Sequence, residues 1–356
     1  MRTHLDLIAF AVVTAMTAAC SSGGSGATAS TGSGAGGESS MTTTSGGTAS
    51  TGTGSGSSSV IATGLFHPND LALFESNVYW ATQNAGISKL AVAGGGAPQE
   101  ILANANASAL AVDATGVYWI TVDPPTIMHA GLDGSGPTMV TALDDASGGI
   151  LGLVGGTLYL SGKIASNPGI LSVPTAGGAP TMLHAGLAVG KLRLADSSGL
   201  AWEELQPSPL ASTLMHAGLD GNGSAAIVTL NIGTKQYLRG VSSDGPSVLY
   251  GVRDQTGDPN TSYLYKVPAA GGAAEKLFTF TGELNDNVGD AKGLYFADDR
   301  YETAGVYVAH ADGKTSELID GEHSPGNIRF MHMDATHLVW MDGDDSSQTQ
   351  LHAVTR

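Results

Sequence analysis

The chain has 356 residues, of which 42% are hydrophobic and only 13% charged, and its formal net charge is −17. So acidic a chain repels a phosphate backbone, which argues against nucleic acid as a partner. A single cysteine, Cys20, rules out any intrachain disulfide.

The first twenty residues read "MRTHLDLIAFAVVTAMTAAC". One arginine precedes an apolar run, Leu7 to Met16, then small residues and the cysteine. This pattern predicts a secretory signal, too short for a stable transmembrane span. Its ending, "TAAC", resembles a bacterial lipoprotein signal, which implies that Cys20 is lipidated and becomes the new N-terminus. Residues 21–58 are Gly, Ser, Thr and Ala apart from Glu38 and Met41. With so little apolar surface to offset the entropy of ordering, the segment is expected to be a flexible tether with a reach of roughly 35 Å. Residues 59–356 remain as the folded domain. Its acidity is uneven: 8 Asp and Glu lie in 59–180 against 22 in 181–356.

Within that domain an apolar-aromatic strand signal recurs seven times: "VYWAT" at 78, "VYWIT" at 117, "LYLSG" at 158, "LAWEE" at 200, "VLYGV" at 248, "LYFAD" at 294 and "LVWMD" at 338. The column Trp80, Trp119, Leu160, Trp202, Tyr250, Phe296, Trp340 defines the period. Each copy sits between a short apolar strand, such as "ALAV" at 109, and a third strand, a glycine hairpin and a fourth strand. Short strands, Gly-rich turns and little helical periodicity predict an all-β chain. Seven four-stranded units of this length predict a seven-bladed β-propeller of antiparallel blades. The last unit runs out after its third strand, while "SVIATG", residues 59–64, is a spare strand at the other end. Pairing it into the last blade closes the ring.

The runs "LAVDATGVYW", "VPTAGGAP" and "VPAAGGAAEK" resemble the YWTD and TolB-like propeller repeats, most closely those of propeller lipoproteins from myxobacteria and related proteobacteria. The resemblance covers 59–356 and implies a propeller held at the bacterial envelope; Ser21 after the cysteine does not suggest inner-membrane retention, so the outer membrane or cell surface is expected. It implies no particular activity.

Comparing the copies isolates what varies. Asp113, Asp196, Asp244, Asp290 and Asp334 share one column, in turn sequences such as "DATG" and "DSSG", and are read as turn caps. "MHAGLDG" occurs twice, with His129 and Asp133, then His216 and Asp220. Aligned on the repeat, these are two copies of an outer hairpin, with the histidines expected to face solvent and Asp-Gly making the turn. A more informative column opens the innermost strands: Asn69, Ser108, Gly149, Lys191, Arg239, Asn285 and Arg329. Asp70 and Asp286 follow it and His67 precedes it. In a propeller this column rings one mouth of the central channel. Three cations there, in an acidic domain, predict a site for an anionic or carboxylate-bearing ligand. The competing reading pairs Asp70 and Asp286 with those cations and leaves an inert, plugged channel.

The loops between second and third strands are long and acidic in the later blades, where binding residues are commonly carried. "DGDDSS" offers Asp342, Asp344 and Asp345 as a weak calcium site, without the spacing of an EF-hand. No Gly-x-Ser-x-Gly elbow, His-Glu-x-x-His or phosphate loop is present. The function expected is therefore a monomeric, non-catalytic binding module. It would hold a protein, glycan or anionic ligand at the envelope, touch the membrane through its lipid anchor only and need no cofactor. The alternative is a metal-assisted hydrolase or lyase using the same mouth.

Overall fold

A computed structural model of the chain describes residues 58–356 except 83–85, 147, 301–303, 311–312, 314, 322–327 and 344–348. The predicted signal, Cys20 and nearly all of the predicted tether lie outside the described residues.

The described chain is built from β-strands, with one 3-10 turn at Ile232–Thr234. The strands form seven antiparallel sheets. Blade 1 begins at Pro68, blade 2 at Ala107, blade 3 at Asp145, blade 4 at Val189, blade 5 at Gln236, blade 6 at Leu284 and blade 7 at Arg329. Within each blade consecutive strands pair as neighbours, so the first strand is innermost and the fourth outermost. Blade 7 is completed by the chain's first strand, Ser59–Leu65, which pairs antiparallel with Thr349–Thr355. The sequence prediction of a seven-bladed ring closed by 59–64 is what the sheets show.

The core explains why the aromatic signal repeats. Buried apolar residues fall into seven clusters, one at each seam between blades. Alternate residues of a second strand point to opposite seams. Trp80 packs into the seam with blade 7, and its neighbour Tyr79 into the seam with blade 2. The entire column from Trp80 to Trp340 faces the preceding blade. Each second strand is therefore apolar on both sides, the pattern that made it legible.

Hairpin glycines fix the spacing between blades. Gly134 sits at φ +81°, and a Cβ there would lie 1.9 Å from the Ile101 carbonyl oxygen of the preceding blade's outer strand. Gly221 makes the same approach to Leu183. The Asp-Gly turns are as expected: Asp133 accepts the Ser135 N–H at 2.9 Å and Asp220 that of Asn222 at 3.0 Å. The histidines differ from expectation. His129 is half-buried, its Nε2 3.2 Å from the Thr115 carbonyl, and His216 is 6% exposed. Each lies over the glycine of its blade's first turn, Gly116 or Gly199, where a side chain would collide with the ring nitrogen. The column is a packed latch over that turn and is not solvent-facing.

Antiparallel pairing puts four positions on one face of the ring. These are the starts of first and third strands and the ends of second and fourth strands. This face is uneven. The second and third strands of blade 4, Gly199–Pro207 and Leu210–Ala217, have 9 and 8 residues. Those of blade 1, Asn77–Thr82 and Ile87–Ala91, have 6 and 5. Blade 5 is tall as well, with 8 residues in each of Ser247–Asp254 and Thr261–Pro268.

Candidate functional site

The column that opens the innermost strands coincides with a break in the sheets. In six blades the pairing of first and second strands slips there. In blade 3 the first strand is interrupted between Asp145–Ala146 and Gly152–Val154. A bulge turns backbone groups out of the ladder, and buried groups need replacement partners. Several column residues supply them across the next seam. Asn69 Nδ2 donates to the Ala107 carbonyl at 3.0 Å, and Asn285 Nδ2 to the Ile328 carbonyl at 2.5 Å. Arg239 Nε does the same to Leu284 at 3.2 Å. The carboxylates complete the staple. Asp70 accepts the N–H of Leu71 at 2.9 Å and of Leu110, in the next blade, at 2.8 Å. Asp286 accepts those of Asn287 and Met331, both at 2.9 Å. Gly149 bridges directly to Leu192. Ser108 turns back to its own blade, donating to Ile120 at 3.2 Å.

Asp70 and Asp286 hold backbone rather than standing in salt bridges, and burial pushes their carboxyls up to about 7 and about 6. His67 is half-buried, with its ring edge-on to Phe66. Lys191 is exposed. Arg329 is half-buried, its guanidinium 5.5 Å from the Phe330 ring. Asp342 is buried at the end of His337–Asp342, while Asp344 and Asp345 lie outside the described residues. Among the described residues, no three His, Cys, Asp or Glu side chains gather as a metal site would require.

Charge concentrates over blades 4 to 6. Arg239 is acted on by Arg253, Arg193 and Asp286, and burial together with the two neighbouring arginines pulls its guanidinium down to about 10. Arg193 is held by Glu203, with Nε at 2.8 Å and Nη2 at 2.6 Å, and Glu203 accepts the Ser212 hydroxyl at 3.0 Å. Arg253 Nη1 lies 3.6 Å from Glu283, which accepts Asn260 Nδ2 at 2.8 Å. Next to this pair stands Asp299, buried, with its carboxyl pushed up to about 7 by desolvation first and by Asp298 and Glu283 further. Two polar atoms here, Arg253 Nε and Asp299 Oδ1, are buried without a hydrogen-bond partner among the described residues. The site thus combines guanidinium donors with an acceptor that is readily protonated.

Sequence reasoning found Arg239 and Asp286 but missed Arg193, Arg253 and Asp299. A signal existed. Three residues past the aromatic column, second strands end in Val122, Lys163, Leu205, Arg253 and Asp299. A charge in that column belongs to the same face as the starts of the innermost strands.

The molecule is thus a seven-bladed β-propeller with a charged sector on one face. No protein-family model matches the sequence, and no curated protein matches it. Solved structures share its fold. An oligogalacturonate lyase in complex with manganese is 10% identical, matches 79% of this chain and 86% of its own, and has a TM-score of 0.59. The acylaminoacyl peptidase of Pyrococcus horikoshii is 12% identical over 80% of this chain and 50% of its own, with a TM-score of 0.58. A chain of the nidogen/laminin complex is 16% identical over 69% of this chain and 91% of its own, with a TM-score of 0.46. At these identities the likeness is one of fold.

Proposed function

We propose that this chain is an envelope-anchored binding module that holds an anionic, carboxylate-bearing ligand over blades 4 to 6. The observation that carries the reading is the gathering of Arg193, Arg239 and Arg253 in a chain of net charge −17, with Arg253 Nε and Asp299 Oδ1 lacking a hydrogen-bond partner among the described residues. Like charges brought together out of water are costly unless anions offset them; Glu203 and Glu283 meet part of that need, and a ligand carboxylate would meet the rest. A carboxylate would take the guanidinium donors, and a hydroxyl or amide of the same ligand would meet Asp299. Export and Cys20 lipidation would hold this face near other envelope molecules.

The test is calorimetry of the full chain against citrate, oligogalacturonate and short acidic peptides. At least one is expected to bind. Replacing Arg193, Arg239 and Arg253 together by Gln should weaken that ligand at least about 10-fold, the scale of charge-assisted hydrogen bonds. Unchanged affinity in a folded triple variant would overturn the reading.

A second reading draws on Asp299, whose raised carboxyl and unpartnered Oδ1 beside Arg253 and Glu283 fit acid–base work. It makes the same sector a lyase or hydrolase site. Turnover of oligogalacturonate, with and without manganese, would separate it from simple binding.

A further inference from the structure

The exposed apolar residues of this chain are not evenly spread. Among the described residues, eight large hydrophobic side chains are exposed. Val60, Met139 and Leu318 lie on outermost strands. The other five, Phe66, Val122, Leu187, Leu205 and Leu210, belong to the face that carries the arginines. None belongs to the opposite face.

Three of the five converge on blade 4. Leu187 is 95% exposed in the connection leading into the blade. Leu205 and Leu210 are half exposed where its second and third strands rise above their counterparts in blade 1. Strand register puts the latter two on one side of the sheet: Glu203 faces Leu214, Leu205 faces Ser212 and Pro207 faces Leu210. That side also carries Glu203, which holds Arg193. The Leu205 N–H bonds the Ala188 carbonyl at 2.8 Å, tying the hairpin to the residue after Leu187. An apolar lip therefore stands directly beside the arginine sector.

We infer that this lip and the arginines form one docking surface for a protein segment that combines aliphatic side chains with a carboxylate. The inference rests on the anionic-ligand reading and adds the occupant. Charge complementarity selects the carboxylate. The lip selects the rest. Leucines this exposed are convex knobs, which protein partners bury, rather than the lining of a tunnel that would enclose an acyl chain. Sugars are held on flat aromatic rings, whereas all four tryptophans here are buried in the seams and the exposed Phe66 precedes blade 1, three blades from the lip.

The experiment is selection of a random peptide display library on the full chain, followed by anisotropy titration of a labelled consensus peptide. Oligogalacturonate is titrated in parallel. Selected peptides are expected to pair Leu, Ile, Val or Phe with Asp, Glu or a free C-terminal carboxylate. Leu205→Ser with Leu210→Ser should weaken the consensus peptide at least 10-fold, as should Arg239→Gln. Leu187→Ser, a change at a 95% exposed position that the fold does not need, should weaken it several-fold and guards against misfolding. The inference is overturned if no peptide is selected, or if the leucine variants bind it unchanged. It is also overturned if oligogalacturonate binds and loses affinity in the leucine variants, because the lip would then serve a glycan. Arginine-dependent binding of citrate or oligogalacturonate alongside any of these failures would leave the anionic-ligand reading standing. Loss of all anion binding would remove both.

Discussion

Asp70 shows how one carboxyl can be spent on architecture and still titrate near neutrality. It accepts two backbone N–H groups, which favour the charged form, yet burial outweighs them and holds the carboxyl at about 7. Its value in the folded chain is therefore raised above 3.8, the unperturbed value. A group raised on folding contributes stability that is fully present below its unfolded value and is lost as pH rises through its folded value. Compared with Asp70→Asn, the native chain should lose relative stability between pH 4 and 7. Urea unfolding of both proteins at pH 4.5 and pH 7.5 checks this. A native advantage that grows with pH would show the two N–H groups to be the stronger effect. Asp286 repeats the arrangement in blade 6: burial raises it to about 6 against the Met331 and Asn287 N–H groups, with Arg193 and Arg239 lowering it further.

At the level of the element, the hairpin between third and fourth strands does two jobs. Its turn needs positive φ, and its tip touches the preceding blade. Gly134 and Gly136 separate these demands, because a Cβ at Gly134 meets the Ile101 carbonyl at 1.9 Å while one at Gly136, φ +61°, meets open space. Gly136→Ala should cost only the backbone penalty, about 1 kcal/mol. Gly134→Ala adds a collision with a neighbouring strand and should cost about 2–4 kcal/mol. Equal losses for the two variants in chemical denaturation would mean that the hairpin does not set blade spacing. The innermost strand is the complementary element. Its bulge frees backbone groups, and Asn69, Arg239 and Asn285 answer the same carbonyl position of the next blade with two different side chains. That substitution of Arg for Asn is what places a guanidinium beside Arg193 and Arg253.

The whole molecule depends on closure. Ala62 and Leu65 of the first strand join Leu351, Ala353, Val339 and Trp80 in the seam between blades 7 and 1. Removing residues 1–65 would uncover that seam and leave the third strand of blade 7 as an open edge. The truncated chain should aggregate or lose its cooperative melt, whereas removal of residues 1–57 should leave the thermal midpoint unchanged. Equal midpoints would show the ring to be stable without its closing strand. The uneven height of one face, the arginine sector and the leucine lip also exist only at this scale, because they join residues from several blades.

Repetition made the fold legible. Seven seams impose seven copies of one apolar-aromatic pattern, and each copy can be checked against the others. The five turn aspartates were readable for the same reason, and all five cap their turns, as Asp113 does for the Thr115 N–H at 2.7 Å and Asp334 for that of Thr336 at 2.7 Å. The site was legible only in part. Arg239 and Asp286 stand in a column that the repeat exposes, but their burial and bonding depend on a bulge that a local pattern does not encode. Arg193, Arg253 and Asp299 come from different strand positions in three consecutive blades, and only the packing of blade against blade brings them to one sector. By itself the sequence determined the all-β class, the number of blades and the closing strand, because periodic burial must be written into every copy. The tertiary structure alone decided which charges meet and which leucines remain uncovered, because these are contacts between blades rather than properties of any one repeat.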